Sequence, residues 1–299
     1  MVRDIACEIW DVFTDVAFGG NQLAVVPDAR GLDTAGMQRI AREFGYSESV
    51  FMLPPEAGGT IRLRIFTPGR EIPFAGHPTI GAAISLARAG TAFGHTVSAD
   101  PVIEEGVGPI TCTTLQRDGL WHAAFTTNAP FERLGEYDPA AVAACTNLPA
   151  TALSTALHAP VMASKGLPFL IAETASRADL AAAAPDPAAF AALRDRQGES
   201  FLSIALYHRA AAGDAALRVF APLDDTHEDP ATGSAAAALA ALLCACDGAP
   251  VELTISQGTE MGRPSRITAA ADCPAPGASR VRIGGSAVPV LSGHLHFPE

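Results

Sequence analysis

Positive charge is scarce in this chain of 299 residues. It has 20 lysine and arginine residues against 32 aspartate and glutamate residues, and its formal net charge is −12. Lys165 is the only lysine, and its position before Gly166 and an apolar stretch predicts a solvated side chain. Nucleic acids and anionic membranes are bound by clustered positive charge. We therefore expect neither kind of partner.

Aromatic and charged residues are also few. Aromatic residues make up 6% of the chain and charged residues 17%, whereas 48% of the residues are hydrophobic. The charged fraction lies below the value of about 25% that is usual for soluble proteins. This low charged fraction predicts a large buried core, and alanine supplies much of the apolar content. The length allows one large domain or two domains of about 150 residues.

No apolar stretch is long enough to cross a membrane as a helix. The longest, from Ala235 to Cys246, falls short of the roughly 20 residues that a bilayer requires. The first residues reach Glu8 without an apolar run of signal-peptide length. Six cysteines are scattered without a CxxC pair, which is typical of reduced thiols. These features predict a cytoplasmic protein.

The motifs of common cofactor and nucleophile sites are missing as well. The chain has no GxGxxG dinucleotide motif, no GxxxxGK[ST] phosphate loop and no GxSxG nucleophile elbow. His294 and His296 have a spacing that can bind a metal, but no carboxylate or cysteine supports them. We therefore expect no cofactor and no metal site.

Local patterns predict a mixture of strands and alanine-rich helices. One amphipathic helix follows a cap at Asp33 or Thr34 and ends at Gly45. Its apolar face is formed by Met37, Ile40, Ala41 and Phe44. We also predict strands at 5–13, 23–26, 50–53, 61–66, 202–207, 217–220, 251–255 and 280–291. Helices are predicted before Gly90, at 180–193 with an interruption around Pro185 and Pro187, and at 234–246.

An internal repeat divides the chain. Leu63–Pro68 resembles Leu217–Pro222 at an offset of 154 residues, and each is followed by a polar loop, a turn and an alanine-rich helix. The turns are His77–Gly81 and Asp229–Gly233, aligned at an offset of 152. This repeat predicts two similar halves, 1–130 and 131–299, and it leaves open whether the last strand returns to the first half. In this alignment His77 is equivalent to Asp229.

Small residues after both turns predict narrow helices that a strongly curved sheet can enclose. The start of each helix offers backbone N–H groups and a partial positive charge, which suits an anion. Two such starts facing each other across a cleft would suit a small acid substrate. The site would then be assembled between the two halves.

Four polar residues are candidates for the chemistry. Glu48 lies between a helix end and a strand, where it is either an exposed loop glutamate or a partly desolvated general base with a raised pKa. His77 is either a turn histidine bonded to backbone or a site residue. Asp229 and Ser234 either cap the second helix, where Thr232 is an alternative cap, or contact substrate.

These residues stand in motifs that resemble the phenazine-biosynthesis PhzF-like isomerases. The matching segments are Asp11–Asp15 with Gly20-Asn21, Ile40–Phe44, Ser47–Phe51, Phe66–Pro68, Pro73–Gly81, Asp229–Ala235 and Gln257–Ser265. They are spread in order over nearly the whole chain, although residues 130–200 carry little of the pattern. Gly19–Gln22 departs slightly from the family's usual Gly-Asn-Pro sequence.

The resemblance implies an α+β fold similar to that of diaminopimelate epimerase: two pseudo-symmetric domains, each a mostly antiparallel, barrel-like sheet around a central helix. It also implies a cofactor-independent isomerase and a homodimer. By the family pattern, Glu48 is the acid and base, and His77 and Asp229 assist proton transfer or bind substrate. Gly76, Gly233 and Ser234 bind substrate.

Three functional hypotheses remain at this stage. In the first, Glu48 moves a proton between carbons of a small carboxylic acid. In the second, the chain binds such an acid without turnover. In the third, it is a cofactor-independent epimerase or racemase of amino acids, and the thiol form of that mechanism requires cysteines at the two turns. The turns hold His77 and Asp229 instead, which disfavours the thiol mechanism.

Overall fold

The computed structural model describes residues 2–198, 202–211, 213–224, 226–275 and 278–298. They form a mixed fold of helices and strands with a large sheet, which confirms the predicted mixture of α and β structure. The chain divides into two compact units. The first comprises Met1–Thr126 and Gly284–Glu299, and the second comprises Thr127–Ile283. No helix among the described residues is long and apolar enough to span a bilayer.

The first unit packs two helices against a mixed sheet. Its helices are α1 (Thr34–Phe44) and α2 (Gly76–Ala89). Its strands are β1 (Val2–Val12), β2 (Asn21–Val26), β3 (Glu48–Leu53), β4 (Ile61–Phe66), β5 (Glu71–Ile72), β6 (Thr91–Ala92), β7 (His95–Thr96), β8 (Val102–Glu105), β9 (Gly108–Arg117) and β10 (Leu120–Thr127). β2 runs parallel to β3, and β4 runs parallel to β8. The pairs β1–β2, β3–β4, β4–β5, β8–β9 and β9–β10 are antiparallel.

The second unit has four helices and nine strands of its own among the described residues. The helices are α3 (Pro139–Cys145), α4 (Arg177–Ala182), α5 (Pro187–Gln197) and α6 (Gly233–Asp247), with 3-10 turns at Ala150–Ala152 and Pro222–Asp224. The strands are β11 (Glu132–Glu136), β12 (Leu153–Ser154), β13 (Val161–Ser164), β14 (Pro168–Thr174), β15 (Ile204–Ala211), β16 (Asp214–Ala221), β17 (Thr226–Asp229), β18 (Val251–Gln257) and β19 (Ser265–Ala275). The long last strand, β20 (Ala278–Pro298), has residues in both units and pairs antiparallel with β1 in the first.

Helix α1 is confirmed as predicted, because its local signals agree with one another. The Asp33 side chain accepts a hydrogen bond from the Gly36 N–H, and Gly45 closes the helix in the left-handed conformation at φ 65°. Met37, Ile40 and Ala41 are buried and pack in a core cluster with Phe51 and Phe66 among others. The partly buried Phe44 packs against the same cluster.

Helix α2 shows why the chain uses small residues in its central helices. It is buried along its first eleven residues, from Gly76 to Leu86. A Cβ atom on Gly81 would lie 2.4 Å from Cδ2 of Leu23 and 2.9 Å from Cγ2 of Val12. Both of these side chains are fully buried. Glycine is therefore required where α2 passes closest to the first two strands.

This close approach leads to a stability prediction for Gly81→Ala. Overpacking should cost about 1–3 kcal/mol, and the better helix propensity of alanine offsets up to about 1 kcal/mol of that cost. We therefore expect a net loss of about 1–2 kcal/mol in urea unfolding. Gly135→Ala is the control, because a Cβ there meets nothing within 4 Å. Equal stability of the two variants would contradict the packing argument.

Three expectations from sequence were wrong or incomplete. Lys165 is buried, not solvated, because its ammonium group donates to the backbone carbonyls of Ala129 and Ser279. The helix predicted at 180–193, with an interruption around Pro185 and Pro187, is two separate helices, α4 and α5, because Asp186 caps a new helix that begins at Pro187. Helix α3 and strand β19 were not predicted, since their alanine-rich sequences show no clear period.

Candidate active site

The start of helix α2 brings two predicted site residues into the core of the first unit. Ala75 has extended backbone at φ −153° and makes no side-chain cap, and Gly76 begins the helix. His77 follows and is only 4% exposed. The N–H groups of a first helical turn have no acceptor within their own helix, and the helix dipole makes this end attractive to anions. Gly76 and His77 are therefore placed where a carboxylate binds well.

Glu48 lies next to His77. It is the first residue of β3 and is paired with Leu23 of β2, so the sheet fixes its backbone. Its Oε2 atom is 3.4 Å from Nδ1 of His77, and its side chain is 18% exposed. Ser47, the preceding residue, donates a hydrogen bond from its hydroxyl to Oδ1 of Asn21, 3.2 Å away. Glu48 is thus a half-buried carboxyl in contact with a buried imidazole.

The environment gives Glu48 an unusual proton affinity. Burial raises its pKa to about 7, although a hydrogen bond from the Ser47 side chain acts in the opposite direction. Desolvation has this effect because it penalises the charged carboxylate more than the neutral acid. A carboxyl with a pKa near 7 can both accept and donate a proton at neutral pH. Glu48 is therefore partly buried and is not an exposed loop glutamate, and its role as a base stays a prediction.

The second unit contains a comparable helix start. Helix α6 begins at Gly233, and Asp229 ends strand β17 four residues earlier. The Asp229 carboxylate accepts a hydrogen bond from the Thr232 hydroxyl at 2.5 Å. Thr232 is the residue before the helix, but its side chain makes no cap hydrogen bond. Ser234, the second residue of α6, is partly exposed.

Gln257 holds this second turn together. The side chain is 1% exposed. Its amide nitrogen donates to the Asp229 carbonyl at 2.8 Å and to the Thr232 hydroxyl at 3.0 Å. Its amide oxygen accepts from the Thr232 N–H at 3.0 Å. The sequence contained Gln257 in a family motif but gave no signal of this role, because the contact spans 25 residues.

The structure corrects the alignment of the two turns. The sequence repeat paired His77 with Asp229, but His77 is the second residue of its helix, whereas Asp229 precedes Gly233 by four. Matching the helix starts pairs Gly76 with Gly233, so His77 corresponds to Ser234. The short turn motifs each contain proline and glycine, and this similarity shifted the alignment. Of the six predicted residues, Glu48, Gly76 and His77 belong to the first unit, and Asp229, Gly233 and Ser234 to the second.

A cavity of about 660 Å³ in the first unit lies elsewhere, and neither Glu48 nor His77 lines it. Its lining includes Arg62 and Arg64. Arg62 pairs with Glu56 at 2.5 Å, and Arg64 pairs with Glu71 at 2.6 Å. Because these guanidinium groups already have carboxylate partners, the cavity is a weaker candidate for an acid substrate than the helix starts.

Comparison with known proteins agrees with the motifs in the sequence. A sequence model of the family described as phenazine biosynthesis-like protein (PhzC-PhzF) matches residues 10–293. The chain belongs to this family. The resemblance to PhzF-like isomerases that the sequence motifs indicated is therefore confirmed.

Relatives of this PhzF-family chain are named as isomerases. An uncharacterized isomerase from Mesorhizobium japonicum is 40% identical over 297 residues, covering 96% of this chain and 97% of the relative. The trans-2,3-dihydro-3-hydroxyanthranilate isomerase of Pseudomonas fluorescens is 35% identical over 289 residues, covering 94% of this chain and 95% of the relative. The prediction that the chain is an enzyme of the isomerase class is confirmed.

Solved structures agree on the fold. A PhzF-family phenazine biosynthesis protein from Bacillus anthracis matches with a TM-score of 0.86 and 24% identity, covering 98% of this chain and 99% of that chain. A hydroxyproline epimerase from Agrobacterium vitis matches with a TM-score of 0.61 and 13% identity, covering 99% of this chain and 94% of that chain. The PhzF family and the proline-racemase-like enzymes therefore share this architecture.

Proposed function

We propose that this PhzF-family chain moves a proton between two carbons of a small carboxylic acid without a cofactor, with Glu48 as the acid and base. The observation that carries the proposal is the Glu48 carboxyl, whose pKa is raised to about 7 and whose Oε2 is 3.4 Å from Nδ1 of His77. A base with this pKa is half ionised near neutral pH, so it can take a proton from one carbon and return it to another.

The remaining residues have roles in this proposal that follow from their positions. Gly76 and Gly233 each begin a buried helix, and the N–H groups at these starts bind the substrate carboxylate. Ser234 adds a hydroxyl in the first turn of α6. His77 and Asp229 assist the proton transfer or bind substrate. The imidazole lies against Glu48, and the Asp229 carboxylate is held by Thr232.

The relatives suggest which acid to test first. Two of them, from Pseudomonas fluorescens and Pseudomonas aeruginosa, are 35% and 31% identical and are named trans-2,3-dihydro-3-hydroxyanthranilate isomerases. We propose this compound as the first candidate substrate. It carries a carboxylate for the helix starts and carbon-bound protons for Glu48.

The proposal predicts the pH dependence of the reaction. Only ionised Glu48 can remove a proton, so kcat/KM should rise about tenfold per pH unit below pH 7, and this rise should end near pH 7. In D2O, deuterium on the carbon that receives the proton, measured by mass spectrometry of the product, reports how far the proton on Glu48 exchanges with solvent before it is returned. A kcat/KM that does not change between about pH 5 and pH 7 would contradict Glu48 as the base. Thermal stabilisation by the acid without turnover would identify a binder instead.

A thiol mechanism is less well supported by the cysteines. Cys7, Cys112, Cys145 and Cys244 are buried. Burial raises the pKa of Cys145 to about 11 and, together with Cys273, that of Cys244 to about 12. A thiol acts as a base only in its thiolate form. We therefore favour the carboxyl of Glu48 over any cysteine as the proton carrier.

We propose further that the two units are the pseudo-symmetric halves of a duplicated fold, each a barrel-like sheet around its central helix. The order of strand pairings supports this: parallel β2–β3, antiparallel β3–β4 and parallel β4–β8 in one unit match parallel β14–β15, antiparallel β15–β16 and parallel β16–β18 in the other. Equivalent arginines also make the same contacts. Arg64 lies 5.1 Å from the Phe66 ring centroid, and Arg218 lies 4.9 Å from that of Phe220. The family pattern adds a homodimer to this proposal.

A further inference from the structure

A second buried carboxyl lies behind the start of helix α2. Glu105 ends strand β8 and is 8% exposed. Its neighbour Glu104 has a different environment: its carboxylate accepts the N–H groups of Glu56, Ala57 and Gly59 at 2.7–2.8 Å. Burial would raise the pKa of Glu104, but these bonds and nearby Arg62 outweigh burial and lower it. Glu104 is thus held as an anion. Glu105 has no comparable set of donors among the described contacts.

The hydrogen bonds of Thr79 indicate that Glu105 is a neutral acid. The Thr79 hydroxyl oxygen is 2.8 Å from the Ala75 carbonyl and 2.8 Å from Oε1 of Glu105. A hydroxyl has one proton to donate. If Glu105 were ionised, two acceptors would compete for that proton, and one short contact would have none. If Glu105 is protonated, it donates to Thr79, and Thr79 donates to Ala75.

The surroundings of Glu105 favour the same state. Burial raises its pKa to about 8, with the Thr79 hydrogen bond acting in the opposite direction. Oε2 is buried and has no hydrogen-bond partner among the described residues. The titratable groups on the adjacent elements include the Cys112 thiol on β9 and His77 on α2, which contacts Glu48. They also include Arg62 and Arg64 on β4, which pair with Glu56 and with Glu71 on β5. Arg64 and Glu71 line the same cavity as Glu105. No described cation contributes to the shift.

The second unit holds its helix start with an amide at the equivalent position. Strands β4 and β16 are equivalent in the repeat, in which Leu63 matches Leu217. β8 pairs with β4, and β18 pairs with β16. Continuing these registers makes Glu105 equivalent to Gln257, and a glycine follows each of them. A Cβ on Gly106 would lie 2.8 Å from Cα of Pro73, and one on Gly258 would lie 2.6 Å from the Pro230 carbonyl oxygen. The end of β8 therefore packs closely against the segment before α2, and the end of β18 packs closely against the segment before α6. Protonated glutamate and glutamine have nearly the same shape, so each strand end supplies one neutral side chain.

We propose that Glu105, as a neutral acid, is a positioning residue that holds the Ala75–Thr79 helix start, and with it Gly76 and His77, in the geometry that binds the substrate carboxylate. This inference rests on the proposed function of that helix start. Ionisation of Glu105 removes the proton that it donates to Thr79 and so disrupts the hydrogen-bond chain from Glu105 through Thr79 to Ala75. It also places a negative charge close to the helix start that binds the substrate carboxylate. Substrate binding therefore weakens as the pH rises through the pKa of Glu105.

The test measures the Kd of trans-2,3-dihydro-3-hydroxyanthranilate by calorimetry on both sides of pH 8. It is performed in the Glu48→Gln background, which prevents turnover and removes the titration of Glu48. With Glu105 intact, the Kd should rise about tenfold per pH unit above about 8. Adding Glu105→Leu should weaken binding about tenfold at every pH, whereas Glu105→Gln should restore binding and abolish the rise. A rise that persists in Glu105→Gln would overturn the proposal.

A second pair of variants and a spectroscopic measurement separate this inference from the proposed function. Thr79→Val should weaken binding about tenfold without steric change, and Thr79→Ser should restore it. Difference infrared spectra between the wild-type protein and the Glu105→Gln variant should show a buried carboxylic-acid C=O band at pH 7 that disappears above pH 8. Absence of the band overturns a neutral Glu105 even if the acid binds. A Glu48→Gln variant that stays active overturns the proposed function and leaves the band unaffected.

Discussion

Replacing Glu48 with glutamine should lower kcat/KM by about 10²–10⁴-fold, the range observed when a positioned general base is removed. Glutamine has nearly the same shape and keeps the contact with His77, but its amide cannot accept a proton at neutral pH. A pKa of about 7 suits the proposed role, because the carboxyl is then partly ionised at neutral pH. The measurement is a steady-state assay with trans-2,3-dihydro-3-hydroxyanthranilate, together with deuterium content of the product in D2O.

Glu43→Gln is the matched control for this experiment. Glu43 lies five positions before Glu48, on an exposed part of helix α1. The substitution removes the same charge without touching His77, so kcat/KM should stay within about twofold of the wild-type value. A Glu48→Gln variant that keeps more than about a tenth of the activity, or that still incorporates deuterium at the wild-type rate, excludes Glu48 as the proton carrier.

The sequence alone predicted the elements in which short-range signals agree. Helix α1 has its cap at Asp33, its apolar stripe and its closing Gly45 within one continuous segment. The central helices could also be located, because small residues and glycine are needed where a helix is enclosed on all sides, as Gly81 shows. Such a helix has no polar face, so periodicity does not help, and only the repeat indicated that α2 and α6 are related.

Properties that depend on distant partners could not be predicted. The neutral state of Glu105 follows from contact with Thr79, 26 positions earlier, and the adjacent Glu104 has the opposite tendency. Burial of Lys165 depends on carbonyls at Ala129 and Ser279, which no local pattern reveals. Short motifs also misaligned the two turns, because proline and glycine recur at both. The sequence indicated which residues are candidates for the site. Which of them are equivalent in the two halves could be decided only from the positions at which α2 and α6 begin.

Arg218→Met should cost about 3–5 kcal/mol in the free energy of unfolding, because it leaves the Glu228 carboxylate, whose side chain is only 11% exposed, without its partner. Arg218 is 6% exposed, and its Nε and Nη2 each donate to the Glu228 carboxylate at 2.8 Å. Its Nη1 also donates to three carbonyls at and just after the end of helix α4, those of Leu180, Ala181 and Ala183, at 2.6–3.1 Å. The last carbonyls of a helix lack N–H donors from a following turn, although that of Leu180 also accepts the N–H of Ala183 at 3.3 Å. One side chain therefore joins β16, β17 and α4.

Two further variants show whether pairing or packing is responsible. Combining Arg218→Met with Glu228→Gln should recover part of the loss, because the uncompensated charge is then removed, and a double-mutant cycle measures the coupling. Arg209→Met breaks the partly exposed pair with Asp247, and should cost at most about 1 kcal/mol. Stability is measured as the midpoint of urea unfolding at constant m. If Arg218→Met and Arg209→Met lose the same stability, burial is not what makes the Arg218 pair important, and the carbonyls at the end of α4 are satisfied without it.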